Sequence, residues 1–140
     1  MKITCTRRLQ YAIGHRVHRH ESKCRNLHGH NFVFHLTAEA ELDDLGRVID
    51  FAVLKERVGG WIEDKWDHGF VLWSNDKEAM DAVSAVEGQK LYPLPYNPTA
   101  ENLARYVLER VGPAQLCETR VRLVGVTVQE TENGSAEATL

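Results

Sequence analysis

From Gly29 to Glu41 the chain alternates. Phe32, Phe34, Leu36, Ala38 and Ala40 share one parity, against Val33, His35, Thr37, Glu39 and Glu41. A period of two predicts a strand with one face in a core and the other in solvent. Such a strand needs a sheet partner and a covering layer. Run backwards, the same parity puts His30 and His28 on the apolar face, one pleat apart. The run through about Gly14, rich in Ile, Thr, Leu and Tyr, predicts the partner strand. Arg16 to Leu27 reads as a polar loop with four cations, Arg16, Arg19, Lys23 and Arg25.

The covering layer is predicted downstream. Asp43-Asp44-Leu45-Gly46 is a turn, and Asp50 can cap a helix whose apolar positions are Phe51, Leu54, Val58, Trp61 and Ile62. Gly59-Gly60 is expected to weaken or bend it. Between Gly69 and Pro95 the pattern is mixed, with a short strand at Phe70-Val71-Leu72-Trp73 and a short helix from Asp76 to Val86. Pro98-Thr99 opens a second main helix, with Leu103, Val107, Leu108 and Val111 on one face, and Gly112-Pro113 is expected to end it. Arg120 to Gln129 is a Val-rich strand, and a last short strand follows Gly134. The expected order is β-β-α-α-β-β in one α+β domain, residues 1–140, with two main helices on one face of an antiparallel sheet.

Composition narrows the chemistry. Lys+Arg 17 against Asp+Glu 20 gives a net charge of -3, which argues against a nucleic-acid footprint. No apolar run approaches the roughly 20 residues of a membrane helix, and the N-terminus has no apolar signal core. Three Cys with no export signal point to reduced thiols in a cytoplasmic setting. Seven His then become the place to look. His28 and His30 on one face can hold a metal from one side. Neutral imidazole suits zinc, and a catalytic site needs a third protein ligand plus an open position. His15, at the end of the first strand, is the best third candidate, with His18 and His20 in the polar loop as competitors. Cys24, four residues before His28, is a candidate base or nucleophile. Cys5 and Cys117 read as small buried hydrophobes. Asp67-His68 offers an imidazole oriented by a carboxylate for proton transfer. Glu130 shares parity with Val124, Val126 and Val128, so its carboxylate at the end of an apolar face needs a partner. A guanidine-like N–H pair on a pterin or guanine ring would satisfy it. Thr99 and Glu101 at the second helix start serve as cap and dipole complement.

Taken together, these segments resemble the 6-pyruvoyl-tetrahydropterin synthase superfamily, whose bacterial branch includes 6-carboxy-5,6,7,8-tetrahydropterin synthases of the queuosine (7-deazaguanine) pathway. The resemblance rests on Ala12-Ile13-Gly14-His15-Arg16, Cys24-Arg25-Asn26-Leu27-His28-Gly29-His30-Asn31, Gly46-Arg47-Val48-Ile49-Asp50-Phe51, Trp66-Asp67-His68, Asn97-Pro98-Thr99-Ala100-Glu101-Asn102 and Gln129-Glu130-Thr131, in the family's order along nearly the whole chain. It implies the tunnelling fold, in which β-β-α-α-β-β subunits close into a barrel as trimers or hexamers with interfacial active sites. It implies zinc on His15, His28 and His30, a catalytic trio of Cys24, Asp67 and His68, a pterin anchor at Glu130, and Thr99 and Glu101 in the segment lining the pterin pocket. The implied activity is that of a carbon–oxygen lyase converting 7,8-dihydroneopterin triphosphate to 6-carboxytetrahydropterin, acetaldehyde and triphosphate. A pyruvoyl product, or a non-catalytic pterin- or purine-binding protein with a structural zinc, is the competing expectation. The cationic loop is a candidate for meeting the triphosphate. Three departures stand out. Trp66 replaces a more usual aliphatic residue before Asp67-His68. Trp73 to Tyr96 is longer than in compact members, a candidate pocket rim or subunit contact. Arg25 stands where a folate-pathway variant carries Glu, which argues against that variant.

Overall fold

The computed structural model describes residues 1–140. Strands β1 (Thr4–His15) and β2 (His28–Glu39) form a long antiparallel ladder. A helix α1 follows at 51–65, then β3 (Gly69–Trp73), α2 (Lys77–Ser84), β4 (Leu91–Leu94), a helix α3 at 100–115, β5 (Arg122–Thr131) and β6 (Gly134–Thr139). The six strands make one sheet in the order β4-β3-β1-β2-β5-β6.

The sheet is mixed, which corrects the expectation of a purely antiparallel one. β3 lies parallel to β1 at Ile13 and Gly14, and β4 lies parallel to β3. A parallel pair needs a crossover, and α2 supplies it between β3 and β4. The long segment from Trp73 to Tyr96 therefore carries the crossover helix α2 and the edge strand β4. α2 packs Ala79 and Val83 against Leu72 of β3, whereas the adjacent Val71 faces the main core. Alternation along β3 therefore places α2 on the face opposite α1 and α3.

The main core lies between β1, β2 and β5 on one side and the two long helices on the other. Leu9, Phe34, Leu36, Val126 and Val128 meet Leu54, Val58, Ile62, Leu103, Val107 and Val111. Trp66 is fully buried there, edge-to-face with Trp61 and Tyr92 and tilted against Tyr106, so its large ring fills core space. Asp50 caps α1 through the Ala52 N–H as expected, and Gly59 does not break the helix. A Cβ at Gly59 would come within 2.7 Å of Leu9 and 2.8 Å of the Tyr11 hydroxyl, so its missing side chain lets α1 sit on β1. Both long helices contain a wide π-type turn, at Lys55–Gly59 and Val107–Val111. In α3 that turn is why Gly112-Pro113 does not end the helix. Proline offers no N–H and its ring crowds the carbonyl four residues back. The wide turn opens the backbone there, and the helix continues to Gln115.

Candidate metal and acid–base site

The β1–β2 register sets His15 directly opposite His28, and Ile13 opposite His30. Gly29 lies between the two β2 imidazoles, where a Cβ would come 3.1 Å from the Ile13 carbonyl oxygen. β5 pairs with β2 from the other side and brings Glu130 to the same end. The ligand-type atoms of His15, His28, His30 and Glu130 all lie within 4.8 Å of one another. His18 and His20, the competing third candidates, are outside this group.

Two of the imidazoles, His15 and His28, are held in a defined tautomer. His15 Nδ1 is 2.7 Å from the Pro98 carbonyl oxygen, and His28 Nδ1 is 2.7 Å from the Asn26 carbonyl oxygen. A carbonyl only accepts, so each Nδ1 carries the proton and each Nε2 presents a lone pair. His15 Nε2 and His30 Nε2 are buried with no hydrogen-bond partner. Burial pushes the His15 imidazole down to about 4 and moves His30 below the usual histidine range, so both are neutral near pH 7. Buried lone pairs without donors are costly, and they converge on one point. This donor set fits a divalent cation that accepts imidazole nitrogen.

Two contributors carry no residue-type signal in the sequence. The Pro98 carbonyl fixes His15. Asn97 clasps the loop, accepting from the His18 N–H at 2.8 Å and donating to the His18 carbonyl at 3.0 Å. Asn102 donates to the Asn97 carbonyl, and Thr99 caps α3 through the Asn102 N–H. The Asn97 to Asn102 segment thus braces the His15 end of β1. The Thr99 hydroxyl is committed to the cap, and Glu101 is exposed in the first turn.

Arg16 is not free for an anionic ligand. Its Nε and Nη2 meet the two oxygens of Asp76 at 2.7 and 2.5 Å, and Nη1 meets Glu78 at 3.1 Å. Asp76 is 1 % exposed and also caps α2 at the Ala79 N–H. The guanidinium holds the Asp76 carboxyl below the usual carboxylate range. Of the four loop cations, Arg19, Lys23 and Arg25 keep free charges in solvent.

One chain does not assemble Cys24, Asp67 and His68. Cys24 sits half-buried in a one-turn helix, Lys23–Arg25, beside the imidazoles in sequence but outside their cluster. Asp67-His68 forms a tight turn between α1 and β3. The Ala12 N–H donates to Asp67 Oδ1 at 2.9 Å, and the His68 N–H donates to the Ala12 carbonyl at 2.7 Å. Lys90 Nζ adds two bonds, to the carbonyls of Asp67 and Glu63. Asp67 Oδ2 lies 2.8 Å from His68 Nδ1, and the His68 ring is 80 % exposed. It borders a cleft of about 420 Å³ floored by Ala12, Gly14, Gly29 and Gly69.

His68 has φ 59°, a left-handed conformation that costs a non-glycine residue on the order of 1 kcal/mol. His68→Gly is therefore expected to raise stability by about 0.5–1 kcal/mol in urea unfolding while removing the imidazole. A loss of stability instead would mean that contacts of the ring outweigh the backbone strain.

The sequence profile of the 6-pyruvoyl tetrahydropterin synthase family matches residues 4–139. A protein of Rickettsia bellii named 6-carboxy-5,6,7,8-tetrahydropterin synthase is 37% identical over 132 residues, covering 94% of this chain and 96% of its own. Among solved structures, an uncharacterized protein of Wolinella succinogenes superposes with a TM-score of 0.82 at 20% identity, covering 99% of this chain and 98% of its own. The 6-pyruvoyl tetrahydropterin synthase of Caenorhabditis elegans superposes with a TM-score of 0.68 at 24% identity, covering 100% of this chain and 96% of its own. At these identities the two structures speak to the fold.

Proposed function

The chain belongs to the 6-pyruvoyl tetrahydropterin synthase family, and from that membership we propose that it is a 6-carboxy-5,6,7,8-tetrahydropterin synthase. In this reading the single domain of residues 1–140 is a cytoplasmic lyase of 7-deazaguanine biosynthesis. It converts 7,8-dihydroneopterin triphosphate and water to 6-carboxytetrahydropterin, acetaldehyde and triphosphate. Water supplies the second carboxyl oxygen, and the ester oxygen leaves with the triphosphate. The observation that carries the reading is the convergence of three imidazole nitrogens at the end of the β1–β2 ladder. It occurs in a chain whose near-full-length relatives bear that name.

The metal in this reading is zinc, held by His15, His28 and His30, because zinc takes neutral imidazole and tolerates an open fourth position. Bound there, it supplies Lewis-acid polarisation to a substrate oxygen. The protein's own residues do the rest. Glu130 accepts the paired N–H groups of the pterin's guanidine-like edge with its two oxygens. The Cys24 thiolate takes a proton from the substrate side chain, and His68, oriented by Asp67, moves protons as acid and base. Thr99 and Glu101 belong to the segment beside the pterin, where Thr99 serves by capping α3. Arg19, Lys23 and Arg25 offer charge to the triphosphate. Because Cys24 and the Asp67-His68 turn stand apart within one chain, neighbouring copies in a trimer or hexamer complete the trio, with the exposed His68 ring reaching across.

Product identification tests the reading. Zinc-loaded protein incubated with 7,8-dihydroneopterin triphosphate is expected to yield a carboxypterin and acetaldehyde by mass spectrometry. A pyruvoyl product would keep the metal site and overturn the product assignment. No turnover by a metal-loaded oligomer would overturn the substrate.

A further inference from the structure

His68 takes its aim from its backbone. Its ring is 80 % exposed and bonds within the chain to the neighbouring Asp67 carboxylate, so little packing holds it. What sets its direction is the peptide that joins Asp67 to His68. Turning that rigid plane about the His68 N–Cα bond is the φ rotation of His68. The peptide is gripped at both polar ends. Its N–H donates to the Ala12 carbonyl at 2.7 Å, and its carbonyl oxygen accepts from Lys90 Nζ at 2.6 Å. A second Lys90 bond, 2.9 Å to the Glu63 carbonyl, ties the same ammonium to the last turn of α1. Helix carbonyls lack partners there, and a cation is favoured. Lys90 arrives from just before β4, where the Phe70 N–H and the Gln89 side chain both donate to its carbonyl. Its half-buried stem runs back across Gly69. A Cβ on Gly69 would come 2.8 Å from Lys90 Cγ and 3.0 Å from its Cβ and Cδ, so the glycine leaves the passage that the stem uses.

We propose that Lys90 is a positioning residue for the His68 imidazole. Its ammonium pins the Asp67 carbonyl, which keeps His68 at φ 59° and its ring at the cleft beside Gly14 and Gly29. Released, that peptide turns toward the right-handed region that a non-glycine residue prefers, and the ring is carried with it. A charged donor suits the task, because hydrogen bonds from an ammonium are stronger than neutral ones. Lys90 commits its ammonium to two backbone oxygens, so it acts through the turn. The inference rests on the reading of His68 as an acid–base group. It gives the β3–β4 crossover a part in the site, since the residue that opens β4 sets the aim of an imidazole more than twenty positions earlier.

Lys90→Met keeps the stem and removes the ammonium. It is expected to lower kcat by about 10–100-fold, the scale of a misplaced catalytic group, with KM held within about 2-fold and metal content unchanged. Lys90→Arg, which restores a charged donor, is expected to recover most of kcat. Gly69→Ala crowds the stem, leaves every donor in place, and is expected to share the loss. In a His68→Ala background, Lys90→Met is expected to change the residual kcat by less than about 2-fold, because the two substitutions remove one function. Equal losses in both backgrounds, or an unchanged kcat in Lys90→Met, would overturn the proposal. A higher KM with kcat intact would overturn it too, making Lys90 a binding group. Hydrogen exchange at the His68 N–H, read by mass spectrometry without substrate, reports on the turn directly. Lys90→Met is expected to speed it by about 10-fold or more, while the β1–β2 amides keep their rates. An unchanged rate would sink the clamp. Absence of turnover by the wild type would defeat the functional reading alone, and the exchange rate would still decide whether Lys90 holds the turn.

Discussion

Cys24→Ala is expected to lower kcat by about 10²–10⁴-fold, the range for losing a positioned acid or base, while the protein still binds one metal per chain. The second half of the expectation comes from geometry. Cys24 is outside the four-residue cluster, and two of the imidazoles, His15 and His28, are oriented by the Pro98 and Asn26 carbonyls. Metal content by atomic emission and turnover by product chromatography check the two halves separately. Unchanged turnover would remove Cys24 from the mechanism. Lost metal would make the thiol a ligand. A KM that rises while kcat holds would make it a binding group.

The largest effect on stability is expected from Asp76→Ala, at about 3–5 kcal/mol. The pair it breaks is mostly out of water, with Asp76 1 % and Arg16 16 % exposed. The substitution leaves the guanidinium with only the exposed Glu78 as partner and leaves the Ala79 N–H of α2 uncapped. Replacing both partners with leucine is expected to cost less than Asp76→Ala alone, since no charge is then left unpaired. The pH dependence has a fixed sign. The Asp76 carboxyl is held below its ordinary range by Arg16, so the folded state binds that proton less readily than the unfolded chain. Its contribution is complete above about pH 4, the unfolded value, and is lost as pH falls through the lower folded value. Urea unfolding of the metal-free protein at pH 7 and below pH 4 checks this. A pH profile below 4 that is the same in Asp76→Asn and wild type would overturn it.

Sequence periodicity reaches the parts of this molecule governed by local rules. The alternation of β2 predicts its buried face, and Phe32, Phe34, Leu36 and Ala38 are all buried. Asp50 and Thr99 cap the helices they precede. The His28 and His30 pair extends that alternation, and only the antiparallel register was needed to bring His15 opposite. What periodicity misses depends on distant partners. β4 is four residues long and contains Pro93, which is tolerated because the strand lies at the sheet's edge. Nothing local reveals that β3 runs parallel to β1, because that pairing is decided across more than fifty residues of chain. Gly112-Pro113 reads as a stop because the widened turn that accommodates it is a backbone adjustment with no side-chain signature. The Pro98 carbonyl and the shift in β5–β6 register at Glu130 are likewise backbone features. Arg16 reads as a free cation until Asp76 arrives from α2.

The three histidines sit within sixteen consecutive residues, on two strands that pair with each other first in the chain. Glu130 comes from the last hairpin, a hundred residues on from His30. Loop-closure entropy favours the nearer pairing. The three imidazoles therefore lie on the pairing that closes most readily, whereas Glu130 reaches them only when the distant β5 joins β2. A metal held by the three imidazoles would fasten β1 to β2 and add its binding energy to the stability of the folded sheet. Stripping such a metal would then loosen the β1–β2 ladder at its His15 end as well as empty the site.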